Sequence, residues 1–278
     1  MKHLSIDLET FSSVPIGEAG LYKYVQSPDF EILLFAYSVD GGPVEIVDLA
    51  CGEMLPDWIE SAIGDPACIK HAYNAAFEWY CLSKYFGAMM PVAQWRDTQL
   101  HGLYCGFTAG LDATGKALGL PQEKQKMAVG KSLIRYFCVP CAPTKSNGGR
   151  TRNLPKHDPE KWALFKTYCQ GDVVTEMEIE RRLSGFPVPA DIEKQWQTDL
   201  IINARGVAVD MDMVRGAIEI GNSTRDKLMS EAVSITGLDN PNSVAQLSRW
   251  LVQEAELEFS DLRKDTVALA LKSDMVTG

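Results

Sequence analysis

Every stretch of this chain that reads as a β-strand lies before Thr98, and beyond it come only helical stretches joined by loops, the longest the polar Cys141–Asp158. The strand-like stretches are residues 3–10, Phe30–Asp40, "PVEIVDL", "ACIKHAY" and a short one at "QWRD", with Gly41-Gly42 as the hairpin turn after the second. Helical patterns interrupt them at "EMLPDWIESAIG" and "AAFEWYCLSKYFG" and continue at 110–119 and 126–137. A long helix is expected from Pro159 to Leu183. Beyond the Pro- and Gly-containing "SGFPVPAD" come helices at 191–203, 211–235, 243–256 and 263–272. Strands with helices between and after them bury their faces as a mixed sheet flanked by helices, and the strandless remainder implies a separate all-α piece. The expected division is therefore an α/β domain over 1–187 and a helical segment over 188–278.

No apolar run reaches the roughly 20 residues of a membrane span, and Asp7 interrupts the only apolar stretch that could act as a signal peptide. Seven cysteines, an odd number scattered through apolar context, fit reduced thiols. The expected location is the cytoplasm. The formal net charge is -10, yet nine basic residues fall at 116–156 against a single acidic one, Glu123. A basic island in an acidic protein points to an anionic partner.

Asp7 and Glu9 stand one residue apart in the first strand, "MKHLSIDLETF". Strand geometry puts both on one face and Leu4, Ile6 and Leu8 on the other. Carboxylates this close repel unless a cation, a proton or a basic group lies between them, and a hard divalent ion takes such oxygen ligands. Further on, "NAAFE" (Asn74–Glu78) carries a carboxylate into the first turn of a helix. "YCQGD" sets Tyr168 and Asp172 on one face of the long helix.

In this order, D-x-E, N-x-x-F-E and Y-x-x-x-D resemble the three motifs of the DnaQ-like 3′–5′ exonucleases. The tyrosine resembles the DEDDy branch, because the sister branch carries His where this chain has Thr167. "RDTQLHGLY" (Arg96–Tyr104) is similar to the segment that follows the second motif in proofreading domains. "INARGVAVDMDMV" and "NPNSVAQLSRWL" resemble the opening of the polymerase region and thumb of family A DNA polymerases, most like those of bacteriophages. The palm and fingers motifs do not occur, so polymerisation is not expected, and the ending "SDMVTG" suggests a fragment or a shortened gene.

The resemblance implies an RNase H-like sheet. It implies hydrolysis of 3′-terminal phosphodiesters in DNA by two divalent ions, Mg²⁺ or Mn²⁺, held by Asp7, Glu9, Glu78 and Asp172. Tyr168 would orient the attacking water, and Thr10 and Asn74 would contact the terminal nucleotide. One departure is Glu78, where the motif ends in Asp. From the basic island, Lys131, Arg135, Lys145, Arg150 and Arg152 are expected to bind phosphates of single strands or frayed 3′ ends. The remainder of a polymerase, or a separate one, is the expected protein partner. Two rivals remain open: an RNase D-like exoribonuclease, and a weakened module that binds nucleic acid or a polymerase.

Several features are read as structural. Cys138-x-x-Cys141 lacks a second pair at zinc-finger spacing. His3, His71 and His101 are expected to be hydrogen-bonded, Tyr136 and Phe137 to be core, and "EMEIERRL" and "DLRKD" to be solvated helix faces.

Overall fold

The computed structural model describes residues 2–108, 110–121, 129–254 and 261–272. They form two compact units, residues 1–206 and 207–278. No helix among the described residues is long and apolar enough to cross a membrane.

The first unit is built on a five-stranded sheet of β1 (His3–Phe11), β2 (Glu31–Val39), β3 (Val44–Val47), β4 (Ile69–Ala72) and β5 (Trp95–Asp97). The order is β3-β2-β1-β4-β5. β1 pairs antiparallel with β2 and parallel with β4, β2 antiparallel with β3, and β4 parallel with β5. This is the RNase H-like mixed sheet expected from the sequence, with β1 at its centre. Leu4, Ile6 and Leu8 are buried in the larger core cluster, each worth about 1.5–3 kcal/mol of burial.

Helices α1 (Ile16–Ala19), α2 (Leu21–Val25), α3 (Asp57–Gly64), α4 (Ala76–Tyr85), α5 (Thr98–Tyr104), α6 (Leu111–Ala117), α7 (Gly130–Phe137), α8 (Pro159–Leu183) and α9 (Ala190–Arg205) complete this unit. The long helix keeps the predicted bounds, started by Pro159 behind Asp158, whose carboxylate accepts from the Lys161 amide. A second core cluster seats α8 against the sheet through Trp162, Phe165, Tyr168, Cys169 and Val173, with Leu133 and Phe137 of α7 beside them.

Four readings change. The hairpin turns on Asp40-Gly41, both at positive φ, with the Gly42 amide donating to Val39 O at 2.9 Å. The pair of short helices α1 and α2 was not expected. "EMEIERRL" is not a solvated face, because Glu176 and Glu178 are on the buried side of α8. Finally, the compact units part after Gly206, because α9 buries Leu200 in the core of the first unit.

The second unit contains α10 (Met211–Thr236), α11 (Val244–Gln253) and α12 (Lys264–Ala270). Asp210 caps α10 by accepting from the Asp212 and Met213 amides, and Gly237 closes it in the left-handed region. Ser243 caps α11.

Candidate active site

Three elements bring the acidic side chains together. β1 presents Asp7 and Glu9, the first turn of α4 presents Glu78, and α8 presents Tyr168 and, one turn on, Asp172. All five line one cleft of about 410 Å³, together with Thr10, Asn74, Phe77 and Ile134. A β-bulge lies beside the cleft: Glu9 faces Leu34 but Thr10 faces Ile32, so the partner strand β2 carries one extra residue, Leu33, and the pairing is locally broken there.

Burial sets the electrostatics. Glu9, Glu78 and Asp172 are each less than 9% exposed. Burial, reinforced by the charge of Asp7, pushes the Glu78 carboxyl well above the ordinary carboxylate range. Its Oε2 finds no hydrogen-bond partner among the described residues. The Tyr168 phenol is pushed far up by burial and by Asp172, to which it hydrogen-bonds. Two thiols complete the inner surface. Cys169 Sγ lies 3.4 Å from Asp7 Oδ2, and Cys138 Sγ lies 3.7 Å from Glu9 Oε2, each as donor. Burial and these carboxylates hold both thiols protonated. Asp7, Glu9 and Cys169 have ligand atoms within 4.8 Å of one another. A crowd of carboxylate oxygens with an orphaned buried acceptor fits hard divalent cations.

The segment carrying Asn74 and Glu78 is organised by Asp97. Asn74 has φ 69°, the left-handed region, where Asn is one of the few tolerated side chains. Asp97 Oδ1 accepts from the Asn74 and Gln99 amides, each at 2.9 Å. The Ala75 and Leu100 amides also donate to this carboxylate. One buried group thus holds the β4–α4 turn and caps α5. Asp97→Ala would leave these amides unpaired at a cost of roughly 2–4 kcal/mol. Urea unfolding should read that loss, and a stability within about 0.5 kcal/mol of wild type would refute the clamp.

The other predicted contacts are distributed unevenly. Asn74 is exposed at the cleft. The Thr10 hydroxyl is buried and bonded to the Tyr24 hydroxyl at 2.6 Å. Lys131, Arg135 and Lys145 are exposed. Arg152 is engaged elsewhere: it pairs with Glu31 at 2.5 Å and lies 3.8 Å from the centroid of the Phe11 ring. Arg150 donates to Asn153 Oδ1 and Asn147 O within its own loop. That loop is closed by Cys141 N donating to Thr151 O and by Asn147, whose side chain bonds Thr144, Ala142 and Gly149. Lys124 and Lys126 of the basic island lie outside the described residues. His3 and His71 hydrogen-bond each other at 2.9 Å, and His101 meets Phe186 O.

Sequence reasoning sets Cys138 aside as half of an incomplete zinc pair and does not single out Cys169 or the organising role of Asp97. A thiol that meets a carboxylate across the fold leaves no mark on local sequence.

No known protein-family model matches the chain. A DNA polymerase of Bacillus phage SP02 is 51% identical over 267 residues, 96% of this chain. The chain spans 41% of the length of that relative. Among solved structures, RNase D of Trypanosoma brucei is 16% identical with a TM-score of 0.48, over 75% of this chain and 68% of that one. Escherichia coli RNase D, an exoribonuclease involved in structured RNA processing, is 15% identical with a TM-score of 0.40, over 75% of this chain and 46% of that one. Brucella melitensis NrnC with bound Mg²⁺ is 13% identical with a TM-score of 0.39, over 72% of this chain and 80% of that one.

Proposed function

We propose that this chain, a homologue of a phage DNA polymerase over 96% of its length, is a metal-dependent 3′–5′ exonuclease. It releases nucleoside 5′-monophosphates from DNA 3′ ends as the proofreading part of polymerase chemistry. The observation that carries the reading is the convergence of Asp7, Glu9, Glu78, Asp172 and Tyr168 on one cleft.

Asp7, Glu9, Glu78 and Asp172 would hold two divalent ions, Mg²⁺ or Mn²⁺. When bound, such ions neutralise phosphate charge and make a water molecule more acidic. The remaining chemistry belongs to the protein. Burial and Asp7 favour the protonated form of Glu78, and a bound cation would favour its carboxylate. Tyr168 stays protonated and is hydrogen-bonded to Asp172. With its hydrogen directed to Asp172, its oxygen accepts a hydrogen from the attacking water and turns the water's lone pair towards phosphorus. The extra methylene of Glu78, against the motif's Asp, lets its carboxylate reach further from α4.

Lys131, Arg135 and Lys145, exposed on and after α7, are cations able to meet phosphates of a single strand. Arg150 and Arg152 contribute less, because their guanidinium groups are occupied. Phosphate contact of this kind is insensitive to sequence and weakens with salt.

The test is a digestion time course on 5′-labelled single-stranded DNA, and on RNA of the same sequence, with Mg²⁺, Mn²⁺ or EDTA. The expected result is a ladder shortening from the 3′ end, faster on DNA, and silent in EDTA. No cleavage by a chain that binds the oligonucleotide would overturn the reading, and faster loss of RNA would overturn the assigned substrate.

A further inference from the structure

Tyr168 can occupy its place only because residue 130 has no side chain. A Cβ built on Gly130 would lie 2.1 Å from Tyr168 Cε2, 2.5 Å from Cζ and 2.8 Å from Cδ2. The contacted edge of the ring includes Cζ, which bears the hydroxyl. The surroundings of the ring cannot yield easily. The Phe165 ring lies within 9° of parallel to Tyr168, centroids 6.0 Å apart, and is fully buried. α7 is fixed by buried Leu133 and Phe137, and Phe137 stacks on Phe165 at 5.4 Å. The same helix lines the cleft through Ile134.

We propose that Gly130 is a positioning residue for Tyr168: the bare first residue of α7 sets how far the phenol reaches towards Asp172 and the attacking water. This rests on the exonuclease reading. A glycine needed only for close helix packing would affect stability. A seat for the phenol affects the chemical step through Tyr168 alone.

The experiment compares kcat and KM for removal of the 3′ nucleotide by the wild type, Gly130→Ala, Tyr168→Phe and the double variant. Gly130→Ala is expected to lower kcat at least ~30-fold with KM within about twofold, and to add nothing further to Tyr168→Phe. Phe165→Leu removes the ring stacked on Tyr168 and retains a core hydrophobe. Its loss should likewise be in kcat and absorbed by Tyr168→Phe, which keeps the test open if Gly130→Ala does not fold. A second readout is the ¹⁹F resonance of 3-fluorotyrosine at position 168. It should move in Gly130→Ala, or in Phe165→Leu, and stay in the control Ser132→Ala. Additive losses, a change confined to KM, or an unmoved resonance would each overturn the seat. If the wild type cleaves nothing, the exonuclease reading has failed, and the resonance alone decides whether Gly130 places the ring.

Discussion

Asp7→Ala will abolish 3′-end cleavage, by at least ~10³-fold or about 4 kcal/mol of transition-state stabilisation, and will at the same time remove the stabilisation of the protein by Mn²⁺. Asp7 sits on the central strand, receives the Cys169 thiol, and is the charge that most opposes ionisation of Glu78 after burial itself. In the proposed reaction it is a metal ligand, and it is the charge that most raises the Glu78 carboxyl. Wild-type protein at an ion concentration 100-fold above its dissociation constant should gain about 2.7 kcal/mol, read as a higher melting temperature. The variant should show no such rise, and its ion-free form should melt no lower than the ion-free wild type, because repulsion is relieved. A residual rate within about tenfold of wild type, or an undiminished response to Mn²⁺, would remove Asp7 from the centre of the reaction.

Glu176→Gln will stabilise the protein at pH 8 and leave it nearly unchanged at pH 4.5. Glu176 lies on α8 one turn beyond Asp172, is 2% exposed, and accepts a hydrogen bond from the Thr98 hydroxyl. Burial raises its carboxyl from the ordinary 4.5 to about 7. The sign follows from proton counting. Between those values the folded chain binds more protons than the unfolded one, so stability falls as pH rises through the window. The penalty is absent below 4.5 and complete above 7, amounting to roughly 3 kcal/mol. Glutamine keeps the shape without the charge. Urea unfolding at the two pH values measures the difference, and an equal effect at both would show that the charge of Glu176 is not what costs stability.

How much of this was legible depended on the range of the interaction. The bounds of α8 follow from local signals, Asp158 and Pro159 at one end and a Gly-Pro linker at the other. The one-sided placement of Asp7 and Glu9 follows from strand period alone. The burial of Glu176 and Glu178 did not show, because α8 is covered by the sheet and by neighbouring helices on several sides, and a helix covered that way loses the single apolar stripe that reveals orientation. α1 and α2 were missed because four- and five-residue helices between Pro15 and Gln26 have no room for a period. Arg152 read as a phosphate contact because its partner Glu31 is 121 residues away, and ion pairs of that separation leave no mark on local sequence. The exposed lysine and arginine of α7 were readable because exposure is what an amphipathic pattern reports.

The packing of β1 against its near neighbour β2 and against the distant helix α8 also bears on the order of folding. Its antiparallel contacts with β2 are local and can form early, whereas Cys169 meets Asp7 across 162 residues of chain. Contacts of such separation carry the largest loop-closure entropy and form late. During synthesis the acidic edge of β1 therefore stays open to water until α8 has emerged and docked. The cleft is complete only when α8 has docked, so under the proposed function the appearance of ion binding in a refolding experiment would report the docking of α8, and not the formation of the sheet.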